Sequence, residues 1–486
     1  MIFEPNQKTP RLSDAADLSS KSIGPGHAAE FLRGQLRGRS YPLWRFPDGL
    51  VLTAANVWAA ARLWVRLARE AGLGAGDRVV IRAEPGAGFL AAVVAGWSER
   101  WSMMIAPPAM ALDDADYQLW RPQMIAGVAG AEISVPWNAA GAPLPPSGWR
   151  PAARSFESQE LARFVLRTSG SGGSPAWIAL SDQNVRAVIT SHLPRLGWSE
   201  STRLLSVLPW HHAFGFVLEL LMGITAGASF LRSDPNPEDL HETLVKFRPD
   251  QLLTVPSVIH DWARHPTASD DWRHLAGGII GGATVDRSLK EFLLATRLRV
   301  GYGLTEASPG ISLGEPGEWE ENLLGAPLGC EVRIADDGEL FFRGPNACFG
   351  AINDGEIQPR DPDRWQATGD RAADNAGRLF FLGRKKSSVK LDNGRWFHPG
   401  DWEAAICAQF AGVESAIVLA DRAGRSLAAV VCMSNGLPPT LTDLRNVFSG
   451  LENRLVDVQE KSPRALPRSG KGDIDRRALQ SEIFPE

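Results

Sequence analysis

From Phe164 to Pro175 the chain reads Phe-Val-Leu-Arg-Thr-Ser-Gly-Ser-Gly-Gly-Ser-Pro, an apolar strand pattern opening into small hydroxyl and glycine residues. In such a loop the backbone N–H groups of Thr168, Ser169, Gly170, Ser171, Gly172 and Gly173 converge on phosphate oxygens, and the hydroxyls donate further bonds. The loop is not the lysine-terminated G-x-x-x-x-G-K-[ST] pattern. Taken alone, it also reads as a flexible turn. Further short segments carry polar groups beside glycines. They are Leu208-Pro-Trp-His-His212-Ala-Phe-Gly215, Gly281-Gly282-Ala283, Gly301-Tyr302-Gly303-Leu304-Thr305-Glu306, Thr368-Gly369-Asp370, Gly383-Arg384 and Pro467-Arg-Ser-Gly-Lys471-Gly-Asp-Ile-Asp-Arg476. Singly, Tyr302 reads as a core aromatic and Asp370 as a turn residue.

The elements that must position these residues alternate between strand-like and helix-like patterns. Thr53 caps a helix whose apolar stripe is Val57, Trp58, Ala61, Trp64, Val65 and Ala68. A short strand over Arg78–Ala83 precedes a buried helix over Gly88–Trp97. The alternation repeats with Ser206–Leu208 and an apolar helix from Phe216, Gln251–Val255 and a helix opened by Pro256, and Gly277–Ile280 followed by a helix over Asp286–Thr296. Strands spaced by helical patterns predict parallel α/β sheets with helices on their faces. Pro136–Pro151 reads as a connector. From Gly325 to Arg343 short β-segments with an Asp-Asp-Gly turn predict a smaller β-rich unit. Beyond Gly383 the pattern predicts a separate α+β unit with helices over Asp401–Phe410 and Leu441–Leu455 and strands over Ser415–Leu419 and Leu427–Met433. The predicted organisation is a flexible leader at 1–25, an N-terminal domain at 26–385 and a C-terminal α+β lid domain at 386–486.

Composition narrows the partners. Fifty-one Lys and Arg against 56 Asp and Glu, with no basic block, give a nucleic-acid partner no electrostatic support. The four cysteines lack metal-ligand spacing and are too few for a disulfide framework, as expected of free thiols in a reducing compartment. The N-terminal stretch has no apolar core of a signal peptide, and Gly88–Trp97 is too short to span a bilayer. A soluble, cytoplasmic protein without a membrane span is predicted.

The ordered set of segments, from Gly76-Asp77-Arg78-Val79 through Arg476, resembles the adenylate-forming superfamily of acyl- and aryl-CoA synthetases, peptide-synthetase adenylation domains and luciferases. The resemblance implies a large N-terminal α/β domain with two parallel-sheet subdomains and a β-rich subdomain, plus a small mobile C-terminal domain. It implies ATP and Mg2+ as cofactors, CoA or a carrier-protein phosphopantetheine as a thiol acceptor, and a small carboxylic acid as substrate. By the same resemblance the 168–173 loop holds phosphates, Tyr302 packs on adenine, and the Gly281-Gly282-Ala283 turn borders that purine beside Gly303. Thr305 is the phosphate-contacting hydroxyl and Glu306 the magnesium carboxylate, a choice that suits a hard cation bridging phosphates. Asp370 holds the ribose hydroxyls, Arg384 reaches ribose and phosphate, and Lys386 is the hinge. His212 borders the acid's carboxylate, and Trp210, Phe214 and Phe216 form an apolar pocket wall. No Asp stands beside Pro209–Gly215 and Leu304 replaces a proline, so an acyl or aryl acid fits better than an amino acid.

Departures from the family pattern are as informative. Gly172, Ala176 and Trp177 stand where the family has Thr, Lys and Gly. Anchored on Pro467 and Ile474-Asp475-Arg476, the family's C-terminal lysine position carries Asp473, with Lys471 two residues earlier. A carboxylate about 4 Å from an α-phosphate would be repelled by roughly 4 kcal/mol at an effective dielectric of 20. Either the loop delivers Lys471 or the activation step is weakened; a nucleotide-binding pseudoenzyme and a relative that activates an unusual acid or closes a lactone are the alternatives. Asn393 is one residue extra in the loop that lines the pantetheine channel of CoA-using relatives.

Overall fold

The computed structural model describes residues 42–70, 72–82, 84–108, 124–127, 162–168, 176–263, 270–353, 356–462, 465–467 and 474–485. The expected leader 1–25, the connector 136–151, the loop residues Ser169, Gly170, Ser171, Gly172 and Gly173, and Lys471, Gly472 and Asp473 lie outside them.

Two sheets build the N-terminal part. In the first, Met124–Gly127, Arg78–Arg82, Ser102–Ala106 and Ala162–Arg167 run parallel, and Trp177–Ser181 turns back antiparallel. The hairpin of Gly350–Asn353 and Glu356–Pro359 adds the far edge. Ser102–Ala106 is buried throughout, the continuous apolar pattern of a strand covered on both faces. One cover is the helix Ala87–Glu99, buried at every position from Gly88 to Trp97. A second helix, Ala54–Glu70, starts where Thr53 Oγ1 accepts the Asn56 N–H at 3.2 Å.

The second sheet places Ser229–Arg232, Arg203–Ser206, Gln251–Thr254, Gly277–Gly281 and Arg299–Tyr302 side by side, all parallel. The expected β-rich unit is not detached from it. Ser312–Leu313 and Leu323–Pro327 pair antiparallel after Arg299–Tyr302 and carry the sheet on to Arg378–Arg384, Gln366–Asn375, Glu339–Arg343 and Glu331–Ile334.

The C-terminal part has its own core of Phe397, Ile406, Val418, Leu444 and Phe448. Its helix Pro399–Gln409 packs on a sheet of Val413–Ala420, Leu427–Met433 and Leu455–Glu460. The helix expected over Leu441–Leu455 ends at Val447, and Leu455 instead opens a strand parallel to Leu427–Met433. Phe448 caps the helix, and Gly450, at φ +77°, takes a left-handed conformation in the turn that follows. The architecture is thus α/β, with a large multi-sheet N-terminal domain and a small C-terminal α+β domain. Among the described residues no helix is long and apolar enough to cross a membrane.

Candidate active site

The site forms at the carboxyl ends of the parallel strands, the usual ligand edge of an open α/β sheet. Gly277–Gly281 and Arg299–Tyr302 are neighbours in register, with Gly281 opposite Gly301. A Cβ on Gly281 would stand 2.5 Å from the Gly301 carbonyl oxygen, so only glycine permits this approach. The next residues, Gly282 and Ala283, turn away from the sheet. After Tyr302 the chain passes Gly303, where a Cβ would overlap the Pro309 carbonyl oxygen at 1.4 Å, and then makes one 3-10 turn over Thr305–Ala307. Thr305 and Glu306 are half-buried, and the Glu306 carbonyl accepts the Cys348 N–H at 2.8 Å.

The hairpin of Gln366–Asn375 and Arg378–Arg384 sets Asp370 directly opposite Arg384. Arg384 Nε lies 2.9 Å from Asp370 Oδ1, and the Tyr302 hydroxyl donates to Oδ2 at 2.7 Å. Three residues 68 and 14 positions apart in sequence thus share one carboxylate. Burial pushes the Asp370 carboxyl up; Arg384 and the Tyr302 hydroxyl pull it back, while Glu339 and Glu306 add to the rise. Burial and the Asp370 charge raise the Tyr302 phenol well above its ordinary value, so the hydroxyl stays a donor. Asp370 Oδ1 is buried and accepts no aligned hydrogen bond from the described residues, although Arg384 is close. An acceptor left in that condition fits a ligand hydroxyl such as a ribose donates. Arg384 itself is two-fifths exposed while paired with Asp370.

Of the phosphate loop, the neck is described. Thr168 N–H donates to the Ala176 carbonyl at 2.8 Å, and Ala176 N–H donates back to Thr168 Oγ1 at 2.9 Å. That closure holds the two antiparallel strands together where the loop leaves them. Trp177, at a position the family gives to glycine, is fully buried in the first sheet.

Around His212 the structure corrects the expected pocket wall. Trp210 and Phe216 are fully buried core residues, with Phe89 and Phe230 against Trp210 and Phe89 and Phe164 against Phe216. The Trp210 indole donates to Glu219 at 2.9 Å rather than facing open space. Phe214 and His212 are half-buried, and the His211 and His212 rings lie 4.4 Å apart. The apolar stretch after His212 winds as a π-helix over Phe214–Leu221. Insertions of that kind recur at functional sites. Glu219, the buried acid inside it, was not signalled by any motif; its only mark is a single charge in an otherwise apolar run.

A cleft of about 300 Å³ runs between the two domains, lined by Ala283, Thr284, Arg384, Pro399, Ile474 and Arg476 among others. Arg371 and Asp401 pair across it at 2.9 Å. Lys386 is exposed in the turn Lys385–Ser387, whose Lys385 is tied to Asp337 at 2.7 Å and to Glu339. Asn393 lies between the paired strands Val389–Lys390 and Trp396–Phe397. Glu403 accepts the Val418 N–H and pairs with Arg476, fixing the base of the segment that carries Lys471. Asp475 N–H donates to the Pro467 carbonyl at 2.8 Å, bringing the two ends of that segment together beside the cleft.

The model of the AMP-binding enzyme family matches residues 48–350. An anthranilate–CoA ligase of Pseudomonas aeruginosa is 30% identical, over 67% of this chain and 68% of that one. The 4-coumarate–CoA ligase CCL1 of Humulus lupulus is 26% identical over 66% of this chain and 64% of its own. The matched region thus spans about two thirds of the length of these curated relatives. Apo MatB from Rhodopseudomonas palustris superposes with a TM-score of 0.72 at 19% identity, over 94% of this chain and 99% of that one, a likeness of fold. The chain belongs to the AMP-binding enzyme family. Its class is that of the AMP-forming acid ligases.

Proposed function

We propose that the enzyme activates an acyl or aryl carboxylic acid with ATP and passes the acyl group to a thiol, of CoA or of a carrier-protein phosphopantetheine. The observation that carries the reading is the Asp370 carboxylate, shared by Tyr302 and Arg384 and retaining an oxygen with no aligned donor among the described residues. The aryl-acid names of the two curated relatives support an aromatic substrate, and the absence of an Asp beside Pro209–Gly215 favours an acyl or aryl acid over an amino acid.

In this reading Asp370 accepts the ribose hydroxyls, and Arg384 turns to ribose and phosphate. Tyr302 and the Gly281–Ala283 turn hold the purine. Thr168 through Gly173 receive the β- and γ-phosphates, and Thr305 donates to the α-phosphate. A carboxylate oxygen of the acid, bordered by His212, attacks the α-phosphorus; the new C–O–P bond forms as the bond to pyrophosphate breaks. The thiolate then attacks the acyl carbon, and AMP leaves with the electron pair of the C–O bond. Glu306 would hold a magnesium ion, a hard cation that suits a carboxylate, and such an ion would supply charge neutralisation to the departing pyrophosphate. Among the described residues no cluster of three or more acidic, His or Cys side chains would hold a metal unaided.

Lys471 is proposed as the cation that meets the α-phosphate, because Ile474 and Arg476, just beyond it, line the same cleft as Ala283 and Arg384. Two residues of chain span at most about 7 Å, a distance an extended lysine side chain largely recovers. Pyrophosphate release is to be measured with anthranilate, 4-coumarate, an aliphatic acid and a free amino acid. Release is expected with the acyl or aryl acids and not with the amino acid. In the same assay Lys471→Ala should abolish adenylation, while AMP release from a supplied acyl-adenylate and thiol should persist, and Asp473→Lys should change little. A silent Lys471→Ala overturns the lysine assignment, and a faster Asp473→Lys would then mark Asp473 as the position that faces the phosphate.

A further inference from the structure

The turn that carries His212 is held by two buried charges that the reaction as described does not use. Glu219 sits inside the π-helix Phe214–Leu221 with no exposed surface. Ser206 Oγ donates to its Oε1, the Trp210 indole N–H donates to the same oxygen at 2.9 Å, and the Leu208 N–H approaches Oε2 at 3.4 Å. Arg232, at the end of the strand Ser229–Arg232, stands 3.7 Å from Oε1. Its guanidinium donates to the Leu208 carbonyl at 2.7 Å and to Ser206 Oγ at 3.1 Å, and lies over the Trp210 ring at 5.3 Å.

Leu208 is therefore gripped at both ends of its backbone, its N–H by Glu219 and its carbonyl by Arg232. Trp210 is gripped by edge and by face. These are the residues immediately before His211 and His212. Stability alone does not explain the arrangement. Desolvating two charges offsets most of their attraction, and apolar side chains of similar volume often hold a core as well or better. Apolar side chains would not fix the orientation of one peptide group and one indole.

We propose that Glu219 and Arg232 are positioning residues for acid activation: by clamping Leu208 and Trp210 they set the His211–His212 pair against the acid's carboxylate. The inference rests on the reading of His212 as the residue that borders the acid. His211, half-buried and beside Arg232, is held below the ordinary histidine value by that burial and by the Arg232 charge, and its Nδ1 has no partner among the described residues. A neutral His211 packed 4.4 Å from His212 passes the position of the clamp on to the second ring.

The clamp also depends on pH. The groups facing Glu219 are Arg232 from its strand, Ser206 from the neighbouring strand, and Leu208 and Trp210 from the turn. Beyond them, Asp234 and Glu84 act on Arg232, and His211 is the titratable neighbour on the turn. Burial lifts the Glu219 carboxyl to about 7. Every partner is a donor, so the clamp needs the carboxylate and loosens as pH falls through that value.

The test measures pyrophosphate release with the best acid of the panel above, and ATP affinity by calorimetry. The variants are Glu219→Gln, Arg232→Lys, His212→Ala and the Glu219→Gln/His212→Ala pair, each checked for a cooperative thermal transition. Arg232→Lys keeps the charge, loses the guanidinium's paired bonds to the Leu208 carbonyl and Ser206 Oγ, and serves if Glu219→Gln does not fold. Each clamp variant is expected to lower kcat/KM for the acid by more than tenfold with ATP affinity within twofold. Glu219→Gln should add less than twofold once His212 is alanine. Wild-type kcat/KM should decline below about pH 7 toward the Glu219→Gln level, while that variant stays flat over the same window. If the Glu219→Gln and His212→Ala losses multiply, or ATP affinity falls in step, the pair is scaffold; the positioning role is overturned and the His212 reading stands. A silent His212→Ala overturns that reading and this inference with it.

Discussion

Asp370→Ala should lower the affinity for ATP and AMP by about a hundredfold or more. The carboxylate is proposed to accept two ribose hydroxyls, and a hydrogen bond to a charged group is worth about 1.5–3 kcal/mol. Two of them amount to about 3–6 kcal/mol, and each 1.4 kcal/mol is a factor of ten in Kd. The substitution also strands the Tyr302 hydroxyl, whose partner at 2.7 Å is this carboxylate, and releases Arg384 from its 2.9 Å contact. Asp370→Asn keeps the volume and loses the charge, and should fall between wild type and alanine. Titration calorimetry reads both. Undiminished binding in Asp370→Ala would place the nucleotide elsewhere on the protein.

Glu306→Gln should slow acid-dependent pyrophosphate release by more than tenfold, an increase of about 1.4 kcal/mol or more in the barrier. Glutamine preserves the side-chain shape on the turn Thr305–Ala307 while removing the charge that a phosphate-bridging magnesium ion requires. The loss should be partly recovered at high magnesium, and AMP binding measured without magnesium should be unchanged. A variant that matches wild type at every magnesium concentration contradicts the metal role.

Much of this site was legible before any coordinates because its chemistry lies at strand ends. Glycine-rich turns after apolar runs mark where parallel strands stop, and Gly281 falls opposite Gly301, one residue before Tyr302. That Asp370 and Arg384 face one another follows from a hairpin register, which short segments alone do not define. Trp210 and Phe216 were misread because an apolar residue beside a polar motif looks the same whether it lines a pocket or fills the core. Burial, which separates the two, comes from the Phe89, Phe164 and Phe230 rings contributed by distant elements. Glu219 was passed over for a related reason. One acid in an apolar helix gains meaning only when its partners are known, and Arg232 arrives from a separate strand. The strand Leu455–Glu460 went unread, its first residue taken as the end of a helix, because its mixed residues, Leu-Val-Asp-Val-Gln-Glu, carry too weak an alternation.

The central claim is that the acid is activated at the α-phosphorus of ATP. A single-turnover reaction with ATP labelled at the α-phosphate, quenched in acid with and without each carboxylic acid of the panel, tests it most directly. The account predicts acid-dependent transfer of label into an acyl-adenylate with one equivalent of pyrophosphate, then into AMP when a thiol is added, and neither step in Asp370→Ala. Label recovered in ADP, or label transfer that ignores the acid, would contradict it.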